Sequence, residues 1–185
     1  MPTTVRITKE EIIAAAYEIT KEQGIEAATA RAVAKRLKCS IQPVYYVFET
    51  MTNMREAVLE KAKLEYTQSL FSNLPDTLKI NAVAFNYIRF AREYPYLFKL
   101  MFANDKYENI SVLDKNIRNE NKPRIIRIIK EDYGIGDEKH AEDLHIKGGI
   151  FCHGLAMMAI SGSINVDDET IGRLIKEVFA GIQKG

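Results

Sequence analysis

The sequence predicts an all-α protein, on three observations. Apolar residues recur at helical spacing along almost the whole chain. No convincing run of alternating apolar and polar residues indicates a strand. The 185 residues are 46% hydrophobic and 28% charged, which is the composition of a chain that folds around a sizeable core. We expect a small helical domain at residues 1–62 and a larger helical bundle at residues 63–185.

Targeting signals and metal motifs are not apparent in the sequence. The first apolar segment is interrupted by charged residues, and no stretch reaches the roughly 18 uncharged apolar residues of a membrane span. Cys39 and Cys152 are far apart and form no CxxC pair, which argues against a disulfide framework or a zinc knuckle. We expect a cytoplasmic protein without a cofactor or a membrane partner.

The first predicted helix has clear signals at both ends. Thr8 and Glu11 have the spacing of a capping box. Gly24 can supply the left-handed residue that stops the helix after Gln23. The buried stripe of this helix is expected to consist of Ile12, Ala16 and Ile19.

Three further helices are predicted in this domain. Thr29 is the expected N-cap of the second helix and Ser40 that of the third, with Pro43 in its first turn and its end near Phe48. Thr50 is the expected N-cap of the fourth, whose inward side chains are predicted to be Met54, Ala57, Val58 and Leu64.

The remaining helices are predicted with looser ends. They are a helix over 76–93, a helix over 95–103, a stretch through Ile117, a helix over 123–133, a long helix over 137–162 and a last helix over 167–182.

The second and third helices have the pattern of a helix-turn-helix. Two short helices that cross steeply need small or apolar side chains where they touch, and Ala34 is the position where a bulky side chain would hold them apart. The inward set is Val33, Ala34, Leu37, Cys39, Val44 and Val47. The outward set, at the start of the third helix, is Ile41, Gln42, Pro43, Tyr45 and Tyr46. Such a third helix presents its side chains to the major groove of DNA. The alternative is an ordinary three-helix core.

The distribution of charge also favours DNA binding by this region. The net charge of +1 gives no hint of a nucleic acid, but residues 31–38 carry four basic side chains and no acidic one. A solvated helix face would account for such a run equally well.

The run ITKEEIIAAAYEITKEQGIEAATARAVAKRLKCSIQPVYYVFETMTNMREAVLEKA resembles, without a gap, the DNA-binding domain of the tetracycline-repressor (TetR) family. The resemblance is specific over residues 6–62 and weaker beyond, where YPYLFKLMF and the pair His153 and Gly154 look like one type of the family's regulatory domain. It implies a DNA-binding domain at 1–62, a ligand-binding and dimerisation domain at 63–185, and a dimeric repressor that a small ligand releases from operator DNA.

The resemblance also implies roles for single residues. Thr29, Arg31 and Tyr45 would contact backbone phosphates, and the segment Ser40, Ile41, Gln42 and Pro43 would lead into the groove. The Gln42 amide suits the N6/N7 edge of adenine. Ile41 and Pro43 suit thymine methyl groups.

Two positions stay open and two depart from the family pattern. Arg6 fits a phosphate or minor-groove contact, or simple solvation, and Tyr46 fits either a DNA contact or packing. Lys38 stands where the turn often has glycine, so that either its φ is positive and strained or the turn differs. Met51 stands where the family commonly has a phosphate-binding lysine.

The last two helices carry the candidate dimer interface that the resemblance implies. Its residues are Gly149, Cys152, Ala156, Ala159, Ile171, Leu174, Ile175 and Val178. The long helix has a row of mostly small residues, which suits close approach of another helix, and a bulkier row with Ile146 and Ile150 that suits a core or cavity. Packing within one subunit is the alternative.

A set of apolar and adaptable side chains suits a lipophilic ligand, and plain core packing is the alternative for each of them. The set is Tyr87, Phe98, Met101, Phe102, Phe151, His153 and Met157. His153 suits either a hydrogen bond to a ligand or a satisfied place in the core.

Enzyme and metal functions find no support in the sequence. It contains no phosphate loop, nucleophile elbow or HExxH motif, and its three histidines do not share a helical face well. We therefore expect neither catalysis nor a metal site. The competing interpretations are a small helical-bundle enzyme and a helical module that docks protein in place of DNA.

Overall fold

The computed structural model describes residues 7–102 and 115–184, and every regular element in these ranges is a helix. The prediction of an all-α fold is therefore confirmed. The α-helices are α1 Lys9–Gln23, α2 Ala30–Arg36, α3 Gln42–Val47, α4 Met51–Leu70, α5 Lys79–Glu93, α6 Pro95–Phe102, α7 Lys115–Tyr133, α8 Glu138–Ile160 and α9 Asp168–Lys184. None of the described helices combines the length and the apolar character that a membrane span needs.

The described chain forms two compact units. The first takes in residues 7–65 and 96–102, and the second takes in residues 66–95 and 115–184. The predicted division into domains 1–62 and 63–185 concerns function as well as compactness, and it stays a prediction.

Helix α1 begins and ends as its sequence signals predict. The Glu11 amide donates to Thr8 Oγ1 at 3.2 Å, and the Glu11 carboxylate accepts from the Thr8 amide at 2.8 Å. Ile12, Ala16 and Ile19 are buried. Gly24 has φ 89° and ψ 163°, so the predicted positive φ is present, although ψ lies outside the left-handed helical region. The chain therefore continues extended into a 3-10 turn, Ile25–Ala27.

Helix α4 is capped as expected but buries a different set of side chains. The Asn53 amide donates to Thr50 Oγ1 at 3.2 Å, which confirms the predicted cap. Met54 and Val58 are buried, as predicted, and so is Ala62. Leu64 was expected to face the core but is 61% exposed, because the buried face of the helix continues from Val58 through Ala62.

In the second unit, α5 packs against α7, α8 and α9. Two polar side chains add hydrogen bonds within this unit. The Ile80 amide donates to Asp132 Oδ2 at 2.7 Å, and Asn86 Nδ2 donates to the carbonyl oxygens of Leu70 and Ser72 at 3.2 and 3.0 Å. Because Asn86 is buried, these bonds satisfy a side chain that would otherwise destabilise the core.

The helix predicted to start at Pro123 starts earlier. Pro123 lies inside α7, which runs from Lys115. A proline removes one backbone N–H and strains the preceding turn, but it does not have to end a helix whose other contacts hold it. The expectation that the chain starts a new helix at this proline is wrong.

Candidate nucleic-acid interface

The geometry of α2 and α3 is set by the side chains between them. The Ala32 amide donates to Thr29 Oγ1 at 3.2 Å, which confirms Thr29 as the N-cap of α2. Val33, Ala34 and Val44 are buried between the helices, as predicted. The other three predicted inward residues, Leu37, Cys39 and Val47, are only half-buried.

The turn between these helices is tight at Lys38. Its φ is 54°, so of the two possibilities left open at this position, the structure has the positive φ. The Cys39 amide then donates to the Ala34 carbonyl at 3.0 Å, which closes the end of α2. A non-glycine residue in this conformation costs about 1–2 kcal/mol, which the packing around the turn has to offset.

Helix α3 begins without the predicted cap. Ser40 was expected to be the N-cap, but Ile41 holds that position with φ −74° and ψ −16°, and no side chain caps the helix. A hydroxyl at Ser40 would bond the amide three residues later, but that residue is Pro43, which has no N–H. Pro43 lies in the first turn and the helix ends at Phe48, both as predicted.

One face of α3 is exposed and carries no charge. Val44 faces inward, whereas Ile41, Gln42, Tyr45 and Tyr46 are exposed and Pro43 is half-buried. Tyr46 is 81% exposed, so it does not pack into the core of the described chain. The helix thus offers amide, phenol and apolar groups to a partner.

Cations without acidic partners lie beside this face. Arg31, Lys35 and Lys38 are exposed and form no ion pair within residues 7–102 and 115–184. Arg36 differs, because its guanidinium donates to both oxygens of Glu22 at 2.9 and 2.7 Å. The Arg36 guanidinium, through these hydrogen bonds, holds the pKa of Glu22 below its ordinary value. Arg36 is therefore largely neutralised by α1.

An open cleft of about 370 Å³ adjoins this face. It is lined by Thr29, Ala30, Arg31, Ile41, Tyr45, Met51 and Arg55. The structure thus brings together Thr29, Arg31 and Tyr45, the three residues for which the sequence implied phosphate contacts. Sequence reasoning missed Arg55, although its spacing of four residues from Met51 places both on one face of α4. Arg6 lies outside the described residues.

The predicted ligand-binding residues fall into separate groups. In the first unit, Phe98, Met101 and Phe102 of α6 are buried, and the rings of Phe98 and Phe102 lie 4.8 Å apart. In the second unit, Tyr87 of α5 and His153 of α8 form a hydrogen bond of 2.9 Å between Oη and Nδ1. The other two predicted residues, Phe151 and Met157, are half-buried on α8.

Half of the predicted dimer residues are buried within their own subunit. These are Cys152, Ala156, Ile171 and Ile175. Cys152 and Ala156 of the small row of α8, and Ile171 and Ile175 of α9, therefore pack within their own subunit, which favours the alternative of internal packing for these four. The bulkier row expected to form a core or cavity has Ile146 and Ile150 exposed instead. Gly149, Ala159, Leu174 and Val178 are half-buried.

No group of three or more potential metal ligands occurs among the side chains that the structure describes. In the first unit, the described residues combine an exposed α3 face with nearby cations and an adjoining cleft. A short helix held by a tight turn, with cations beside it, defines a helix-turn-helix DNA-binding domain.

Comparison with known protein families gives a match over the helix-turn-helix segment. Residues 12–58 match the family model described as "Bacterial regulatory proteins, tetR family". The helix-turn-helix segment is therefore similar to the DNA-binding domain of this family, and the match supports a DNA-binding transcription regulator. No curated protein sequence matches the chain.

Proposed function

We propose that the chain is a homodimeric repressor that reads a pseudo-palindromic operator and leaves it when a small lipophilic molecule binds. The observation that carries the proposal is the exposed, uncharged face of α3, preceded by Arg31, Lys35 and Lys38, which form no ion pair with the described part of the chain. Phosphate contacts by the cations give affinity and orientation, and the α3 side chains give sequence preference.

The chemistry of α3 restricts what it reads. The commonest specific contact to guanine uses an arginine or lysine, and α3 contains neither. Gln42 can bond the N6/N7 edge of adenine, while Ile41, Pro43 and Tyr46 offer apolar surface to thymine methyl groups. We therefore propose A·T pairs at the operator positions that α3 covers.

The dimer interface is proposed on the outward face of α8. Ile146, Ile150 and Met158 are exposed apolar residues there, and Gly154 between them leaves room for a close helix. A symmetric pairing with a second copy would cover this row together with the half-buried Gly149, Ala159, Leu174 and Val178. Two helix-turn-helix domains held in this way can bind two half-sites at once.

The effector site is proposed around Tyr87 and His153. Their hydrogen bond lies beside Tyr66, whose ring meets that of Tyr87 edge-on at 6.2 Å and that of Phe90 at 5.3 Å. A polar pair among aromatic rings suits an apolar ligand with one polar group. Such a ligand releases DNA only if it binds the released conformation more tightly than the DNA-bound one.

The experiment for this function is selection of bound duplexes from a random pool by the full-length protein. We expect enrichment of an inverted repeat with A·T-rich half-sites, whose binding weakens steeply as salt rises. Compounds that stabilise the protein in a thermal-shift screen are then tested for release of the selected duplex. Recovery of unrelated sequences, or binding that ignores salt, would contradict the proposal.

A further inference from the structure

The cleft beside α3 contains a cation that the helix-turn-helix pattern does not account for. Arg55 lines the same cleft as Thr29, Arg31 and Tyr45, although it lies on α4. Its side chain is largely buried, with 26% of its surface exposed. Removing a guanidinium from water costs free energy. Contacts within the protein or with a bound anion have to offset this cost.

The contacts of Arg55 with the described residues leave part of its donor capacity unused. Its Nη2 donates to Glu26 Oε2 at 2.8 Å. Its Nε is buried and has no hydrogen-bond partner within the described residues. A guanidinium has five N–H donors in a planar fork, and one edge can bind a carboxylate while other donors bind an anion. Glu26 thus holds the group at the cleft without saturating it.

From these contacts we infer that Arg55 binds a backbone phosphate of the DNA, in the cleft that Thr29, Arg31 and Tyr45 share with it. This inference rests on the proposed function, because it assigns a further residue to the same interface. Met51 lies one helical turn before Arg55 and lines the same cleft without a charge. Arg55 therefore provides the cation that α4 contributes to this part of the interface.

The experiment uses the full chain and measures duplex binding by fluorescence anisotropy at several salt concentrations. Arg55→Met should weaken binding to all duplexes by roughly tenfold. It should also reduce the slope of log affinity against log salt by about 0.9, the share of one phosphate contact. Arg36→Met is the matched control, because Arg36 also pairs with a glutamate of the first unit but does not line the cleft. We expect it to keep the wild-type slope.

A charge-relocation variant keeps the inference testable even if Arg55→Met is poorly folded. The double variant Met51→Lys/Arg55→Met places a cation in the same cleft from the preceding helical turn. The slope of log affinity against log salt should then return to the wild-type value. Glu26→Gln removes the tether but keeps the guanidinium, so it should bind DNA at least as tightly as the wild type.

The possible results distinguish a failure of the proposed function from a failure of the role assigned to Arg55. Wild-type protein that binds no duplex would overturn the proposed function itself. Wild-type protein that binds with an unchanged slope in Arg55→Met would overturn the role of Arg55 alone. An equal loss of affinity in Glu26→Gln and Arg55→Met would show that the ion pair acts as a structural tether, and this would also overturn the inference.

Discussion

The ring of Phe179 on α9 packs directly against Gly148 on α8. A Cβ built on Gly148 would lie 2.8 Å from Phe179 Cζ, closer than real Cβ contacts come. Gly148 is buried, and the Phe179 ring occupies the space that any larger residue at position 148 would need. This contact explains why a glycine stands in the middle of a long helix, where it costs up to about 1 kcal/mol relative to alanine.

The first prediction tests this close packing. Gly148→Ala should lower the free energy of unfolding by about 1–3 kcal/mol, because the ring has to move. Gly172→Ala on α9 is the matched control, since no atom lies within 4 Å of a Cβ built there. The control should be neutral or stabilise by up to about 1 kcal/mol. Denaturant unfolding measures the free energy of unfolding of both variants. Equal changes in the two variants would contradict the close packing of Phe179 against Gly148.

The second prediction separates base reading from phosphate binding. Gln42→Ala should lose about 1–3 kcal/mol of discrimination at one operator position, because the amide no longer bonds adenine. Arg31→Ala should weaken binding to all sequences about equally and reduce the salt slope by about 1. Gel shifts on matched and single-substituted duplexes, at two salt concentrations, measure both effects. If the two variants behave alike, the assignment of these residues is wrong.

The third prediction concerns the outward face of α8. Ile150 is 69% exposed, and Ile150→Glu should produce a monomer, because two carboxylates would be brought together without water. Operator affinity should fall by about a hundredfold, since the two helix-turn-helix domains are no longer linked and bind separately. Leu64→Glu is the control, because Leu64 is 61% exposed on another helix. Sedimentation analysis that finds both variants dimeric would contradict the proposed interface.

The fourth prediction tests which row of α8 faces inward. Burial raises the pKa of the Cys152 thiol to about 12, so it stays protonated and sheltered at neutral pH, whereas Cys39 is half-buried. A thiol reagent at pH 8 should therefore modify one cysteine per folded chain, and none in Cys39→Ala. The thiol titration is repeated on Ile150→Glu, which we expect to be monomeric. Protection of Cys152 in this variant cannot come from a second copy of the chain. Rapid modification of both cysteines would contradict the inward orientation of Cys152.

Local signals predicted the N-terminal helices well. The Thr8 and Glu11 capping box and the Thr29 and Thr50 caps are all present, because each depends on residues three apart in the chain. Ser40 does not cap α3, because the residue three positions later is Pro43, which has no N–H, and because the positive φ of Lys38 sets the path of the turn. A single side chain could not reveal that path.

Long-range packing was harder to predict. The two rows of α8 are both apolar, so periodicity could not decide which one faces the core. The structure places the small residues Cys152 and Ala156 inside and leaves Ile150 outside. Arg55 was missed for a similar reason, since its place in the cleft depends on how α4 lies against α2 and α3. The resemblance indicated the other residues of the proposed interface, but only the structure places Arg55 beside them.

The central claim is that the exposed face of α3 enters duplex DNA, and photo-crosslinking at position 46 tests it most directly. Tyr46 replaced by p-benzoylphenylalanine should crosslink to the selected operator, because this side chain is 81% exposed on that face. The same photoreactive group at Leu64, also well exposed, should give little crosslinked DNA. Efficient crosslinking at position 64 and none at position 46, in a protein that still binds the operator, would contradict the account.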